Sequence, residues 1–232
     1  MLGFVCRAVC LAALASSFTI SAAASPITVT VTGKVTIFDD AGAVTDGSIA
    51  VDAPYTLTMV FDAAAAVDRD PDPTLGDYAI SAAQSSYVVQ VGNYSFSTSG
   101  FLVFGVLDGF MAPTEDEFGW LALDVVSSGP LVVPGVTWSS VAWSDSALND
   151  RTGAALTSDS LESTNWNRTA YEPNIRAFYV FAEVLDPRTS SRDFIEFHAT
   201  IDSMIVSAPE PALLALLAAS AALLVARRRP RR

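Results

Sequence analysis

Apolar and polar residues alternate along most of this chain, and the alternation predicts β-strands. In ITVTVTGKVTI, apolar side chains recur at every second position from Ile27 to Ile37, apart from one glycine, with threonine or lysine between them. Because a strand turns successive side chains to opposite faces, this period of two indicates a strand with one buried face. The segment YTLTMVF repeats the pattern, and its buried face is expected at Tyr55, Leu57, Met59 and Phe61.

Further segments extend this pattern to an all-β fold. YVVQVGNYSFS predicts two strands joined at Gly92–Asn93, a pair that suits a tight hairpin turn. Other strand candidates are FLVFGVL, GWLALDVV, VTWSSVAW, RAFYVFAEV and FIEFHATIDSMIV. Since turn-forming residues separate these segments and none has the length and period of an amphipathic helix, we expect an antiparallel β-sandwich or jelly-roll-like fold.

The first 24 residues do not follow the strand pattern and predict a signal peptide. Arg7 precedes an apolar run from Ala8 to Ile20, and small residues follow at Ala22 and Ala24. This order is typical of a secretory signal that is cut after Ala24, so the Sec machinery and signal peptidase are expected partners. Both cysteines of the chain lie inside this segment, and the mature protein is therefore expected to have no thiol.

The segment 207–232 forms a second exception, and it leaves residues 25–206 as the β-rich domain. Ala212–Ala226 contains seven alanines and six leucines, which predicts a single transmembrane helix. At about 1.5 Å per residue this helix is roughly 22 Å long, shorter than the roughly 30 Å hydrocarbon core of a bilayer. A basic cluster follows that should stay cytoplasmic and hold the helix in place: Arg227, Arg228, Arg229, Arg231 and Arg232.

A short motif, Pro209-Glu210-Pro211, stands directly before this apolar run. The order of motif, Ala/Leu helix and arginine cluster resembles the PEP-CTERM sorting signal of Gram-negative bacteria. The resemblance implies recognition by an exosortase, a membrane-embedded cysteine transpeptidase that acts at or near the motif. It also implies a transient inner-membrane anchor, with the domain first periplasmic and then at the cell surface or outside the cell. The two prolines would hold Glu210 in an extended, readable segment.

The charge of the domain is strongly negative. Between Ser25 and Ala208 there are 7 basic and 24 acidic residues, which gives a formal charge of −17. Such a surface repels nucleic acid and anionic lipid, so neither is expected as a partner of the domain.

One acidic loop is a candidate cation site. Asp68, Asp70 and Asp72 alternate along the chain, and Asp77 could complete a set of carboxylates around Ca²⁺ at about 2.3–2.6 Å. Arg69 competes for the same carboxylates, so a solvated Asp/Pro turn is the alternative. Apart from Ca²⁺, no cofactor is expected.

The sequence offers little catalytic chemistry, and we expect no enzyme. His198 is the only histidine, it falls on the polar face of an alternating strand, and no Gly-x-Ser-x-Gly motif accompanies it. Paired carboxylates of the kind that glycosidases use occur at Glu115, Asp116 and Glu117, but any acidic domain contains such pairs.

Three classes of function therefore remain. The favoured one is a structural protein of the cell surface or extracellular matrix, sorted alongside exopolysaccharide in a biofilm. The alternative is a carbohydrate- or Ca²⁺-binding module, and a glycan-active enzyme is the third.

Trp138 and Trp143 are five positions apart and should point to opposite faces of one strand, so at least one belongs to the core. A sugar-stacking platform could draw on Trp120, Trp138, Trp143, Trp166 and Tyr171.

Overall fold

The strands pair antiparallel throughout the residues that a computed structural model describes, which are 26–109, 115–161, 164–187 and 191–207. This confirms the prediction of an all-β antiparallel fold. The strands form a single strongly curled sheet. In chain order they are β1 (Ile27–Asp40), β2 (Pro54–Phe61), β3 (Val67–Asp68), β4 (Leu75–Ile80), β5 (Ser85–Val91), β6 (Tyr94–Thr98), β7 (Leu102–Asp108), β8 (Asp116–Ala122), β9 (Val125–Ser128), β10 (Thr137–Asp150), β11 (Phe178–Asp186), β12 (Ser191–Ala199) and β13 (Ser203–Ser207).

The strand β1 belongs to both halves of this sheet. Its first part pairs with β13 on one side and β2 on the other, and its last part pairs with β12. The register shifts between Val35 and Ile37, where the strand passes from one half to the other. The first half has the order β13-β1-β2-β5-β6-β9, and the second has the order β3-β4-β7-β8-β10-β11-β12-β1.

The two halves face each other across an aromatic core. Tyr55 on β2 stacks on Phe178 of β11 with 4.8 Å between ring centroids. At another point of the core, Phe61 on β2 lies 4.7 Å from Phe104 of β7. The predicted buried face of β2 is confirmed, because all four of its members are at most 2% exposed. Burial of these apolar side chains supplies the main driving force for folding in a domain without disulfides.

Turns divide two of the predicted strands. GWLALDVV is split between β8 and β9, because Asp124 adopts a positive φ of 51° that a strand cannot contain. FIEFHATIDSMIV is split between β12 and β13 at residues 200–202, where the chain bends from one half of the sheet to the other.

The region around the Asp/Pro-rich loop contains structure that the alternation did not predict. A 3-10 helix occupies Ala63–Ala65, and Asp62 caps it by accepting a hydrogen bond from the backbone N–H of Ala64. The two-residue strand β3 then pairs with β4.

Elsewhere in the domain, another 3-10 helix at Arg168–Ala170 is capped in the same way by Asn167, whose side chain accepts a hydrogen bond from the backbone N–H of Thr169.

Candidate functional site

Three aromatic side chains stack on the outer face of the sheet. Trp143 on β10 is paired with Phe181 on β11, and their rings lie 4.2 Å apart at an angle of 20°. Phe194 on β12 lies 5.8 Å from Phe181 at an angle of 22°. The three occupy outward positions of their strands and are half-buried, while the alternate residues fill the core. We call Trp143, Phe181 and Phe194 the ring stack.

Hydrogen-bonding side chains border the ring stack on one side. Tyr179 lies one row further along β11 and packs its ring 4.7 Å from the imidazole of His198. The hydroxyl of Tyr179 donates a hydrogen bond of 2.9 Å to Glu196 Oε2. Asp145 on β10 pairs with Tyr179 and is directed to the same outer face. An aromatic surface and several polar groups thus lie next to one another.

Partial burial shifts the ionisation of this polar row. Desolvation raises the pKa of Asp145, against an opposing effect of His198. Desolvation also lowers the pKa of His198, and the positive charge of Arg176 lowers it further. His198 is therefore neutral at pH 7, and its buried Nδ1 has no hydrogen-bond partner among the described residues. Desolvation, together with Glu196, raises the pKa of Tyr179, so its hydroxyl remains a donor.

A charged group lies at the other border of the ring stack. Glu183 on β11 is only 8% exposed, although it points to the outer face. Its Oε2 accepts a hydrogen bond of 2.7 Å from the hydroxyl of Ser139, and its Oε1 lies 3.3 Å from a guanidinium nitrogen of Arg192. These contacts satisfy the carboxylate and fix its orientation beside the rings.

A groove of about 330 Å³ continues the outer face over β7, β8 and β10. Its floor is a row of small residues that pair across the three strands: Gly105, Gly119 and Ala147. Leu121 and Asp145 stand on one side of the floor and Glu117 on the other. Because Asp145 also belongs to the polar row beside the rings, the groove and the ring stack form one continuous surface.

A second cleft, of about 370 Å³, is acidic. It contains the carboxylates that the sequence suggested for a glycosidase, since Glu115, Asp116 and Glu117 all line it together with Asp150. Asp116 is 2% exposed, and its Oδ2 accepts a hydrogen bond of 2.8 Å from the backbone N–H of Leu156. The carboxylate of Asp116 therefore holds the loop after β10 in place.

The carboxylates of the predicted Ca²⁺ loop bind their own backbone. Asp68 Oδ1 accepts from the N–H of Asp70 at 3.2 Å and from the N–H of Asp77 at 3.1 Å. Asp70 and Asp72 accept in the same way from N–H groups two residues further on, at 2.9 Å each. Asp77 forms an ion pair with Arg69 at 2.5 Å. The four residues thus share one loop in which each carboxylate has a partner from the protein.

Within the described ranges, no three His, Cys, Asp or Glu side chains are arranged to hold a metal ion. The Ca²⁺ site stays a prediction. The sorting motif at 209–211, the apolar run at 212–226 and the basic cluster at 227–232 lie outside the described residues. Inside them, no helix has the length and apolar character needed to cross a membrane.

The tryptophans divide between core and surface. Trp120 is 2% exposed, and Trp138 and Trp166 pack against the core cluster, so only Trp143 of the four faces outward. The prediction that Trp138 and Trp143 lie on opposite faces is confirmed. Tyr171 is 4% exposed, so Tyr171 and Trp120 are both too deeply buried to belong to a surface platform that stacks on sugar.

Sequence reasoning missed Phe181, Phe194 and Asp145. A signal for Phe181 was present in RAFYVFAEV, where the apolar residues do not alternate with polar ones but occupy both faces of the strand. An antiparallel sheet commonly packs one face on the core and exposes the other to water. Apolar residues on the outer face as well therefore require a separate explanation.

No protein-family model matches the chain, and comparisons with curated proteins and with solved structures found no match either.

Proposed function

We propose that this chain is an exported structural protein of the cell surface or extracellular matrix, associated with exopolysaccharide and without catalysis of its own. The observation that carries the proposal is the order of segments after the β-domain: Pro209-Glu210-Pro211, the apolar run Ala212–Ala226 and the arginine cluster. In this proposal, an exosortase of a Gram-negative bacterium recognises the motif while the apolar helix is anchored in the inner membrane.

The limits of the folded domain support this division of the chain. β1 begins at Ile27, three residues after the expected cleavage at Ala24, and β13 ends at Ser207, two residues before Pro209. Ser207 also pairs with Thr28, so the segment that leads to the motif starts from a fixed position in the sheet. The facing halves of the curled sheet suit a β-sandwich of the jelly-roll-like kind.

Replacement of the motif glutamate tests the proposal. In Gram-negative cells that contain an exosortase, the full chain should appear first as a membrane-bound precursor and then as a shorter, released form. Glu210→Ala should leave the precursor uncut in the inner membrane, because the enzyme loses the charged group that it reads. Immunoblots of membrane and soluble fractions measure both species.

Glu172→Ala is the matched control, since Glu172 is an exposed glutamate within the domain. It should mature like the unchanged protein. Normal maturation of Glu210→Ala in the same cells would refute the assignment of the motif.

A second candidate function, a carbohydrate-binding module, is favoured by one observation. The ring stack places aromatic surface and hydrogen-bonding groups side by side on the outside of the sheet. Sugar rings likewise carry apolar C–H faces next to hydroxyl groups, so they can contact both kinds of group at once. This function is compatible with the first, because a matrix protein gains from direct attachment to polysaccharide.

A further inference from the structure

The outer face of β10, β11 and β12 carries a cluster of exposed and half-buried apolar side chains. Besides the ring stack, Val141 is 41% exposed, Leu185 is 43% exposed and Leu123, just beyond β8, is 39% exposed. Exposed apolar groups that cluster in this way mark a surface to which something binds. Aromatic side chains contribute the largest share of the binding energy at such surfaces.

We propose that this face binds a neutral polysaccharide, with Trp143 as the principal stacking residue. Phe181 covers one face of the Trp143 indole from the β11 side. The opposite face of the indole is turned toward β8, because β10 lies between β8 and β11 in the sheet. A sugar ring stacked there lies directly beside the groove. The proposal deepens the proposed function by naming the surface and ligand class, and relies on it only for access to glycans outside the cell.

The groove gives the rest of a linear chain a place to lie. A Cβ atom on Gly105 would meet only a side-chain atom of Leu107, at 3.6 Å, so the glycine leaves open space above the sheet. At position 119 strand packing also requires glycine, because a Cβ atom there would clash with the backbone oxygen of Ser146. Together the groove and the ring stack cross the five strands β7, β8, β10, β11 and β12, a distance of roughly 19 Å at about 4.8 Å per strand.

The polar groups of this face match the hydroxyl groups of a sugar. Asp145 lines the groove as an acceptor, Glu196 accepts a hydrogen bond from the hydroxyl of Tyr179, and Glu183 stands at the far border beside Arg192. Acceptors and donors therefore surround the apolar rings. A neutral, hydroxyl-rich ligand can use both kinds of group without bringing a charge into the site.

The charge of the domain decides between the alternative occupants. A second copy of this chain would bring another domain with a formal charge of −17 against a face that already carries four carboxylates, those of Asp145, Glu183, Glu196 and Glu117. Anionic polysaccharides meet the same repulsion. A neutral glycan carries no charge and is not repelled by these carboxylates, and we therefore assign the face to it.

Retention by polysaccharide tests the assignment. The full chain, purified in detergent, is passed through affinity gels that contain cellulose, mannan or dextran as neutral probes, and alginate as the anionic one. We expect retardation by at least one neutral probe and none by alginate. Trp143→Ala should weaken that affinity at least tenfold, and Trp143→Phe should keep most of it because the ring is preserved.

Two further variants separate binding from folding. Gly105→Leu fills the groove without touching the core and should also weaken retention at least tenfold. Ile205→Ala, at a side chain that is 62% exposed on β13 in the other half of the sheet, should leave retention unchanged. Circular dichroism of each variant checks that the β-fold is intact.

Tryptophan fluorescence supplies an independent measurement. Because the other three tryptophans pack against the core, a glycan on this face should change mainly the emission of Trp143, and Trp143→Phe should abolish the change.

The proposal fails if no neutral probe retains the protein or if Trp143→Ala binds as well as the unchanged chain. It also fails if sedimentation shows that Trp143→Ala dissociates an oligomer. These assays need no processing in cells, so their failure is distinct from failure of the sorting proposal.

Discussion

Asp150 illustrates how this acidic chain uses a single carboxylate to build a loop. It is the last residue of β10 and is 5% exposed. Its oxygens accept hydrogen bonds from the N–H groups of Thr152, Ala154 and Ala155 at 2.8–2.9 Å, and from the hydroxyl of Thr152. Desolvation raises the pKa of Asp150, but the hydrogen bonds from Thr152, Ala154 and Ala155 outweigh it, so the pKa is lowered overall.

We predict that Asp150→Asn destabilises the domain by roughly 2–4 kcal/mol at pH 7, because a neutral amide cannot accept all of these hydrogen bonds. Asp39→Asn, at an exposed carboxylate on β1, is the control and should change stability by less than about 0.5 kcal/mol. Urea unfolding of both variants measures the difference.

The pH dependence of this effect has a defined sign. Since the pKa of Asp150 is lower in the folded state, its stabilisation is complete above the unfolded pKa of about 3.9 and is lost as the pH falls through the folded pKa. The difference between Asp150→Asn and the unchanged protein should therefore narrow below about pH 4. A difference that stayed constant down to pH 2 would contradict this account.

At the scale of elements, β1 depends on one glycine at the point where the two halves of the sheet meet. A Cβ atom on Gly33 would clash with the backbone oxygen of Thr200 and would lie 2.8 Å from a ring carbon of Tyr55. The carbonyl of Thr200 also accepts a hydrogen bond of 2.9 Å from the hydroxyl of Tyr55. β1, β2 and the bend between β12 and β13 therefore approach one another at this position.

Gly33→Ala should cost roughly 2–3 kcal/mol, because the backbone around Thr200 has to move to admit the methyl group. In a domain of this size the loss corresponds to a fall in Tm of about 5–10 °C. Gly105→Ala is the matched control, since it also adds a methyl group inside a strand but meets no close neighbour, and it should change Tm much less. Thermal unfolding followed by circular dichroism compares them; equal losses would contradict the packing argument.

The elements show which parts of the fold were predictable from the sequence. The strict alternation in β1 and β2 predicted both strands and their buried faces, and Gly92–Asn93 predicted the turn between β5 and β6, where Gly92 has a φ of 53°. The split between β8 and β9 was not predictable, because nothing in the sequence around Asp124 marks it as the end of a strand. Only the structure shows its positive φ. The outer rings escaped prediction because Phe194 reaches Phe181 only through strand pairing.

At the scale of the whole molecule, repulsion among like charges works against the compact state. The domain carries a formal charge of −17, and the ion pairs at Arg69–Asp77, Arg151–Glu172 and Arg192–Glu183 each leave at least one partner partly exposed. Such exposed pairs contribute little to stability. With 24 acidic and only 7 basic residues between Ser25 and Ala208, the basic residues are too few to balance the negative charge of the domain.

Raising NaCl from 20 to 200 mM should therefore stabilise the protein by roughly 1 kcal/mol, or about 2–4 °C in Tm, because the Debye length shortens from about 20 Å to about 7 Å. Differential scanning calorimetry at pH 7 measures the shift. Repetition near pH 4.3, the isoelectric point of the sequence, is the control, where the gain should largely vanish. A fall in Tm with salt at pH 7 would show that attractive pairs dominate instead.

The pairing of β1 with the last two strands also determines when the protein can fold. Thr32 and Ser203 share a hydrogen bond of 2.7 Å although they are 171 positions apart. A ribosome makes the N-terminal strand first, so β1 can pair early with β2 but lacks its other two partners, β12 and β13, until nearly the whole domain has been synthesised. Contacts of such long range also make folding slow. The newborn chain consequently cannot complete this sheet until its last two strands have been made, which would leave it incompletely folded for the export that we propose.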